Sequence, residues 1–318
     1  MILGIETSCD ETAAALVSTE GEIRANVVAS QAALHARFGG VVPEVAARRH
    51  LELLAPVVRE ALDEARATLD DVELVAATRG PGLIGALLVG LSGAKALAWG
   101  RGLPLVPVDH LHGHVASLYL QPEPLDPPFL CLLATGGHTL LLDVQDRSGY
   151  RVVGTTIDDA AGEAFDKGAR LLGLGYPGGA ALDRLAADGD PEAFDFPVAR
   201  VDGLDFSFSG VKTALLYATK SVDELDRRRA DLAAAYQQAI VRALVERTRA
   251  AAEQLGRDRI AVVGGVAANS ELRAALADAV LAPLALCTDN AAMIASAGRY
   301  VTPVEPPAYL DLDAYAAA

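Results

Sequence analysis

An α/β fold built by duplication is what this sequence predicts, and three observations carry the prediction. Residues 2–5 read as an apolar strand, residues 6–12 as a polar turn and residues 13–17 as a second apolar strand. Residues 129–134, 135–139 and 140–144 repeat that order. Each copy is followed by a strand that runs into a glycine-rich turn: residues 74–78 before Gly80-Pro81-Gly82, and residues 260–263 before Gly264-Gly265. The third observation is size and composition. A chain of 318 residues, 52% hydrophobic and 22% charged, is a folded protein long enough for two domains. Strand, glycine turn and helix recur in any α/β protein; the paired order favours duplication, with lobes at 1–110 and 111–318. Two hairpins whose tight turns face each other across a cleft can hold phosphates through backbone N–H groups, without basic side chains.

The remaining elements follow in order. Pro43 suits a helix start, and residues 45–66 carry apolar residues near helical spacing, with Pro56 expected to break or kink the helix. Residues 83–99 are the most apolar helical stretch, but Gly85, Gly90, Gly93 and Lys95 mark a buried helix rather than a membrane span. Residues 104–108 read as a strand, and residues 223–255 as a long, partly solvated scaffold helix or helix pair. No basic segment precedes an apolar run at the N-terminus, so a secretory leader is not expected. Cys9, Cys131 and Cys287 are odd in number and far apart, as suits reduced thiols and a cytoplasmic protein.

The net charge of −15 argues against a broad nucleic-acid-gripping face, so any such role needs a local patch or a partner. Only four of the 27 basic residues are lysines, and Lys167 and Lys212 fall inside motifs.

His110-Leu111-His112-Gly113-His114 is the sharpest of these motifs. On a helix His110 and His114 share a face while His112 points nearly the other way, and two imidazoles so spaced suit a transition metal. Zinc proteases need Glu directly after the first His, where this chain has Leu111. A third ligand must come from elsewhere. Asp289, in Cys287-Thr288-Asp289-Asn290, fits both that role and an ordinary helix cap, and spacing alone favours the cap.

Asp158, Asp159, Glu163 and Asp166 crowd the segment up to Lys167, with Gly178, Gly179 and Asp183 beyond. Such carboxylates near glycine turns either bind ribose hydroxyls or favour a helix start. Phe206-Ser207-Phe208-Ser209-Gly210-Val211-Lys212-Thr213 fits a strand entering a helix as well as an anion site at Ser209 and Lys212.

Together these segments resemble one family. They are residues 6–12, 39–44 with His50, Gly80-Pro81-Gly82, the His110/His114 pair, Gly136-Gly137-His138-Thr139, 158–167, 206–213, 264–269 and 288–293. The order and nearly full coverage are similar to the TsaD-type tRNA adenosine threonylcarbamoyltransferases, once described as sialoglycoprotein endopeptidases. The resemblance implies an actin-like, sugar-kinase-like duplicated fold with two lobes around a nucleotide cleft. It also implies transfer of a threonylcarbamoyl group from threonylcarbamoyl-AMP to N6 of the adenosine 3′ of the anticodon, in tRNAs reading codons that begin with A. Carried over by residue, His110, His114 and Asp289 become ligands of one Fe2+ (or Zn2+). Leu133, Ala134, Thr135, Gly136, Gly137, Asp166, Gly179, Asp183 and Asn269 become donor contacts, and Asp10 and Glu11 either handle protons as catalytic residues or only shape the turn. The implied partners are TsaB, TsaE and tRNA, with no membrane.

The chain departs from the family pattern at His112, where relatives often carry Glu, and at Thr135, where Ser is usual. It is also short between Arg273 and Leu284, and its tail after Tyr300 follows the pattern poorly. The rival readings are a metalloprotease, a non-catalytic actin-like scaffold and a small-molecule carbamoyltransferase.

Overall fold

Strand β1 (Ile2–Glu6) is buried along its whole length because it has strands on both sides. It pairs antiparallel with β2 (Glu11–Val17), which pairs with β3 (Ile23–Ser30). On its other edge it pairs parallel with β4 (Leu74–Gly80), which pairs parallel with β5 (Leu105–Asp109). Parallel neighbours need long crossovers. Helices α1 (Ala32–Ala36) and α2 (Pro43–Glu64) lie between β3 and β4, α3 (Ile84–Arg101) links β4 to β5, and α4 (His110–Ala116) follows β5 directly. The core under this sheet gathers Leu3, Ile5, Leu16, Val57, Val75, Leu91, Leu105 and Tyr309.

The computed structural model describes residues 1–120, 122 and 124–317. A second sheet repeats the first: β6 (Phe129–Ala134), β7 (Thr139–Val144), β8 (Arg151–Thr155), β9 (Ile260–Val263) and β10 (Val280–Leu281) take the order β10-β9-β6-β7-β8. The antiparallel hairpin β6–β7 and the parallel pair β6–β9 correspond to β1–β2 and β1–β4. Its helices are α5 (Ala161–Leu171), α6 (Gly179–Ala186), α7 (Ser209–Ser221), α8 (Leu225–Leu255) and α9 (Ser270–Ala275), and α10 (Ala291–Gly298) follows.

Three expectations need adjusting. The contact boundary is not near 110. The first unit takes Met1–Asp126, Asp146–Gly149 and Asp289–Ala318, and the second takes Pro127–Gln145 and Tyr150–Thr288. The return of the last segment has a packing cause: a Cβ on Gly4 of β1 would lie 2.3 Å from the carbonyl oxygen of Ala291, so α10 rests directly on β1. Helix α2 runs unbroken through Pro56, which is exposed, so water can satisfy the carbonyl that the missing N–H leaves free. Helix α3 is buried on one side only, with Leu88 and Trp99 exposed. Among the described residues no helix is long and apolar enough to cross a membrane.

Candidate functional site

Helix α4 starts where β5 ends, so His110 and His114 occupy its first and second turns and both are buried. Asp289 joins them from just before α10. Asn290, not Asp289, caps that helix, its side chain accepting the Met293 N–H at 3.0 Å. With the capping role taken by its neighbour, Asp289 brings Oδ1 to 3.2 Å from His114 Nε2 and 3.6 Å from His110 Nε2. One ligand atom from each residue lies within 4.8 Å of the others. The two imidazoles meet edge to face, with centroids 4.8 Å apart.

Glu6 is the residue of this cluster that sequence reasoning left without a role. Fully buried at the end of β1, it places Oε2 3.0 Å from His110 Nδ1 and accepts the Thr78 hydroxyl at 2.6 Å and the Ser8 N–H. Its signal was available: it is the one charge on the otherwise apolar strand 2–6. A carboxylate on Nδ1 fixes the tautomer and aims Nε2 at the open side. Burial works against a charged His110, but Glu6 and Asp289 outweigh it and push the imidazole up to about 9. The same negative field that favours a proton there favours a metal cation.

His114 supplies the test of fit. Both of its ring nitrogens are buried and make no hydrogen bond, a condition that costs free energy unless another group occupies a nitrogen. Two imidazoles and a carboxylate form the mixed nitrogen and oxygen donor set that iron(II) and zinc accept. His112 takes no part. Its Nε2 pairs with the Arg147 carbonyl at 3.0 Å, which ties the 146–149 segment to the first unit.

Asp10 and Glu11 stand at the β1–β2 turn. Burial, then the Asp289 and Asp10 carboxylates, push Glu11 up to about 9, and it accepts the Ser30 hydroxyl at 3.1 Å. His50 props the same turn, reaching Thr12 Oγ1 at 2.8 Å and the Cys9 carbonyl at 2.9 Å.

In the second unit the expected donor contacts divide into buried and exposed groups. Leu133 and Ala134 lie inside β6 with no exposure, while Gly136 and Gly137 form a solvent-facing turn. Thr135 Oγ1 shapes that turn by accepting the Gly137 and His138 N–H groups at 3.3 and 3.0 Å. Asp166 accepts the N–H groups of Gly178 and Gly179 at 2.8 and 3.1 Å, fixing the start of α6. Asp183 accepts the Asn269 amide at 3.1 Å and the Ser270 hydroxyl at 2.7 Å, and Asn269 also donates to Gln237 at 2.8 Å. Asp166 with Gly179, and Asp183 with Asn269, are thus two tied pairs.

Ser209 and Lys212 engage protein carboxylates. Asp158 accepts both hydroxyls of Ser207 and Ser209, and Asp159 pairs with Lys167 and Lys212. A cavity of about 450 Å³ beside α8, lined in part by Phe196, Phe206, Arg242 and Arg247, contains none of the expected site residues.

A family model described as TsaD, tRNA N6-adenosine threonylcarbamoyltransferase, matches residues 22–296. The chain belongs to the TsaD family. A relative of that name from Symbiobacterium thermophilum is 52% identical over 324 aligned positions, covering 99% of this chain and 95% of the relative. One from Salinibacter ruber is 53% identical, covering 94% and 93%, and one from Clostridium botulinum is 50% identical, covering 94% and 92%. Membership of TsaD makes the chain a transferase of tRNA modification and does not favour the protease or scaffold readings.

Likeness to solved structures bears on the fold alone. HypF of T. kodakarensis has a TM-score of 0.62 at 15% identity, covering 95% of this chain and 48% of that one. Component A of the Acidaminococcus fermentans (R)-2-hydroxyglutaryl-CoA dehydratase has a TM-score of 0.56 at 17% identity, covering 94% and 96%. The fold is the duplicated actin-like, sugar-kinase-like α/β architecture.

Proposed function

We propose that this TsaD-family chain transfers the threonylcarbamoyl group of threonylcarbamoyl-AMP to N6 of the adenosine 3′ of the anticodon, in tRNAs reading codons that begin with A. In the transfer the amine forms a bond to the carbamoyl carbon, the bond from that carbon to the AMP phosphate oxygen breaks, and N6 gives up a proton. His110, His114 and Asp289 would hold one divalent ion, iron(II) with zinc as the alternative. When bound, such an ion supplies Lewis acidity toward a carbonyl oxygen. Glu6 keeps His110 aimed, and Asp10 and Glu11 handle the proton.

In the second unit the solvent-facing Gly136-Gly137 turn would take a phosphate, and Asp166, Gly179, Asp183 and Asn269 form a ready-tied set for ribose and base. Leu133 and Ala134 contribute through the backbone that carries this turn. TsaB and TsaE are the proposed partners, in the cytoplasm. With a net charge of −15 the chain alone should hold tRNA weakly and only at low salt.

The observation that carries this reading is the clustering of buried His114, whose ring nitrogens make no hydrogen bond, with His110 and Asp289 in a chain of this family. The test combines the protein with TsaB, TsaE, ATP, threonylcarbamoyl-AMP and unmodified tRNA, followed by nucleoside mass spectrometry. Threonylcarbamoyladenosine should form with wild type and vanish with His110→Ala/His114→Ala. Equal product from both would remove the metal centre from the reaction, and no product from either would remove the reaction itself.

A further inference from the structure

The segment after Tyr300 follows the family pattern poorly, yet it docks onto the strands that lead into the metal-ligand helix. Val304 pairs with Leu105 of β5, and Tyr309 is fully buried. Lys95 of α3 donates to the Leu310 carbonyl at 3.0 Å and to that of Leu312. Arg79 of β4 donates to the Asp313 carbonyl at 2.7 Å and lies over the Tyr315 ring, 5.8 Å from its centroid. The Tyr315 N–H donates to the Arg79 carbonyl and the Gly82 N–H to the Ala316 carbonyl, each at 3.2 Å. Gly80, at φ +156°, admits this approach: a Cβ there would lie 2.3 Å from the Tyr315 carbonyl oxygen and 2.8 Å from its ring.

Asp109 connects this strap to α4. It ends β5 and caps the helix, its Oδ1 accepting the His112 N–H at 2.9 Å. Its Oδ2 accepts the Tyr315 hydroxyl at 2.8 Å. One carboxylate therefore ties the tail to the first turn of the helix that carries His110 and His114. A second route runs through the turn after Gly80. The Leu83 N–H donates to the Ser8 carbonyl at 2.8 Å, and Ser8 Oγ lies 3.2 Å from His110 Nδ1.

We propose that Tyr315 is a positioning residue for the metal centre: its hydrogen bond to Asp109 fixes the first turn of α4 and with it the aim of both histidines. The inference rests on the metal reading above, and its test separates the two. Full-length wild type, Tyr315→Phe, Asp109→Asn and the double variant are titrated anaerobically with Co2+ alone, read by its visible absorption. Amide hydrogen exchange across residues 110–116 is measured separately without metal.

Tyr315→Phe should weaken Co2+ binding roughly 10-fold, the size expected when a ligand loses its supporting hydrogen bond. It should add nothing in the Asp109→Asn background and should speed exchange in α4 but not in β1. Wild-type affinity and exchange in Tyr315→Phe, or losses that simply add in the double variant, would overturn the proposal. If His110→Ala/His114→Ala binds Co2+ as wild type does, the metal reading fails, and the α4 exchange rates alone decide whether Tyr315 holds the helix.

Discussion

The hairpins β1–β2 and β6–β7 occupy the same place in two sheets of the same order, and their turns carry opposite chemistry. The first carries Glu6, Asp10 and Glu11 on a buried turn, with Ser8 and Glu6 against His110. The second carries no carboxylate in its turn, which runs through Thr135, Gly136 and Gly137 and leaves both glycines open to solvent. Buried carboxylates beside imidazoles make a site for a cation. A solvent-facing glycine turn suits an anion instead. Topology fixes where a site can sit, and five or six turn residues fix its sign.

The largest effect is expected from removing a ligand. Asp289→Ala should lower divalent-metal affinity by more than about 100-fold, because it deletes one of three donors, the others being two buried imidazoles. Isothermal titration with Zn2+ reads this, and affinity near that of wild type would break the comparison at its root. Glu6→Gln keeps the shape of the turn but removes the charge that aims His110. It should cost roughly 10- to 100-fold in the same titration, with the three ligands untouched.

The second unit has a buried carboxylate too, but one satisfied by arginines. Asp143 is fully buried and accepts from Arg257 at 2.8 Å, Arg151 at 2.9 Å and Gln145 at 2.6 Å. Burial pushes its carboxyl up, but these hydrogen bonds win and hold it down to about 2. A folded-state pKa below the unfolded one gives stability that is present above about pH 4 and lost as pH falls through 2. The linked contribution is about 2 kcal/mol. Urea unfolding should show wild type exceeding Asp143→Asn by most at pH 5, with the gap narrowing toward pH 3. A gap independent of pH would contradict the pairing. The smallest effect is expected at the exposed turn: Thr135→Val loses two hydrogen bonds to backbone N–H groups, about 1 kcal/mol in all. Binding of AMP should weaken severalfold while metal affinity stays unchanged.

Both hairpins, the long helix α8 and the histidine pair were legible in the sequence because each is a local pattern of hydrophobic period or spacing. What was not legible depends on distant partners. Asp289 and Asn290 are equally good helix caps on paper. Only the packing of α10 on Gly4 decides that Asn290 caps and Asp289 turns to the histidines. Pro56 promised a break that its exposed position made unnecessary. Ser209 and Lys212 fitted an anion site as well as a strand entering a helix because their partners, Asp158 and Asp159, sit some fifty positions earlier. The role of the tail could not be seen at all, since Tyr315 and Asp109 share no local pattern.

The most direct test of the central claim is the metal content of the purified protein. Wild type prepared without exposure to oxygen should carry close to one equivalent of iron or zinc by mass spectrometry of the elements, and His110→Ala/His114→Ala should carry almost none. Equal metal in both proteins, or none in wild type after reconstitution with either ion, would contradict the account.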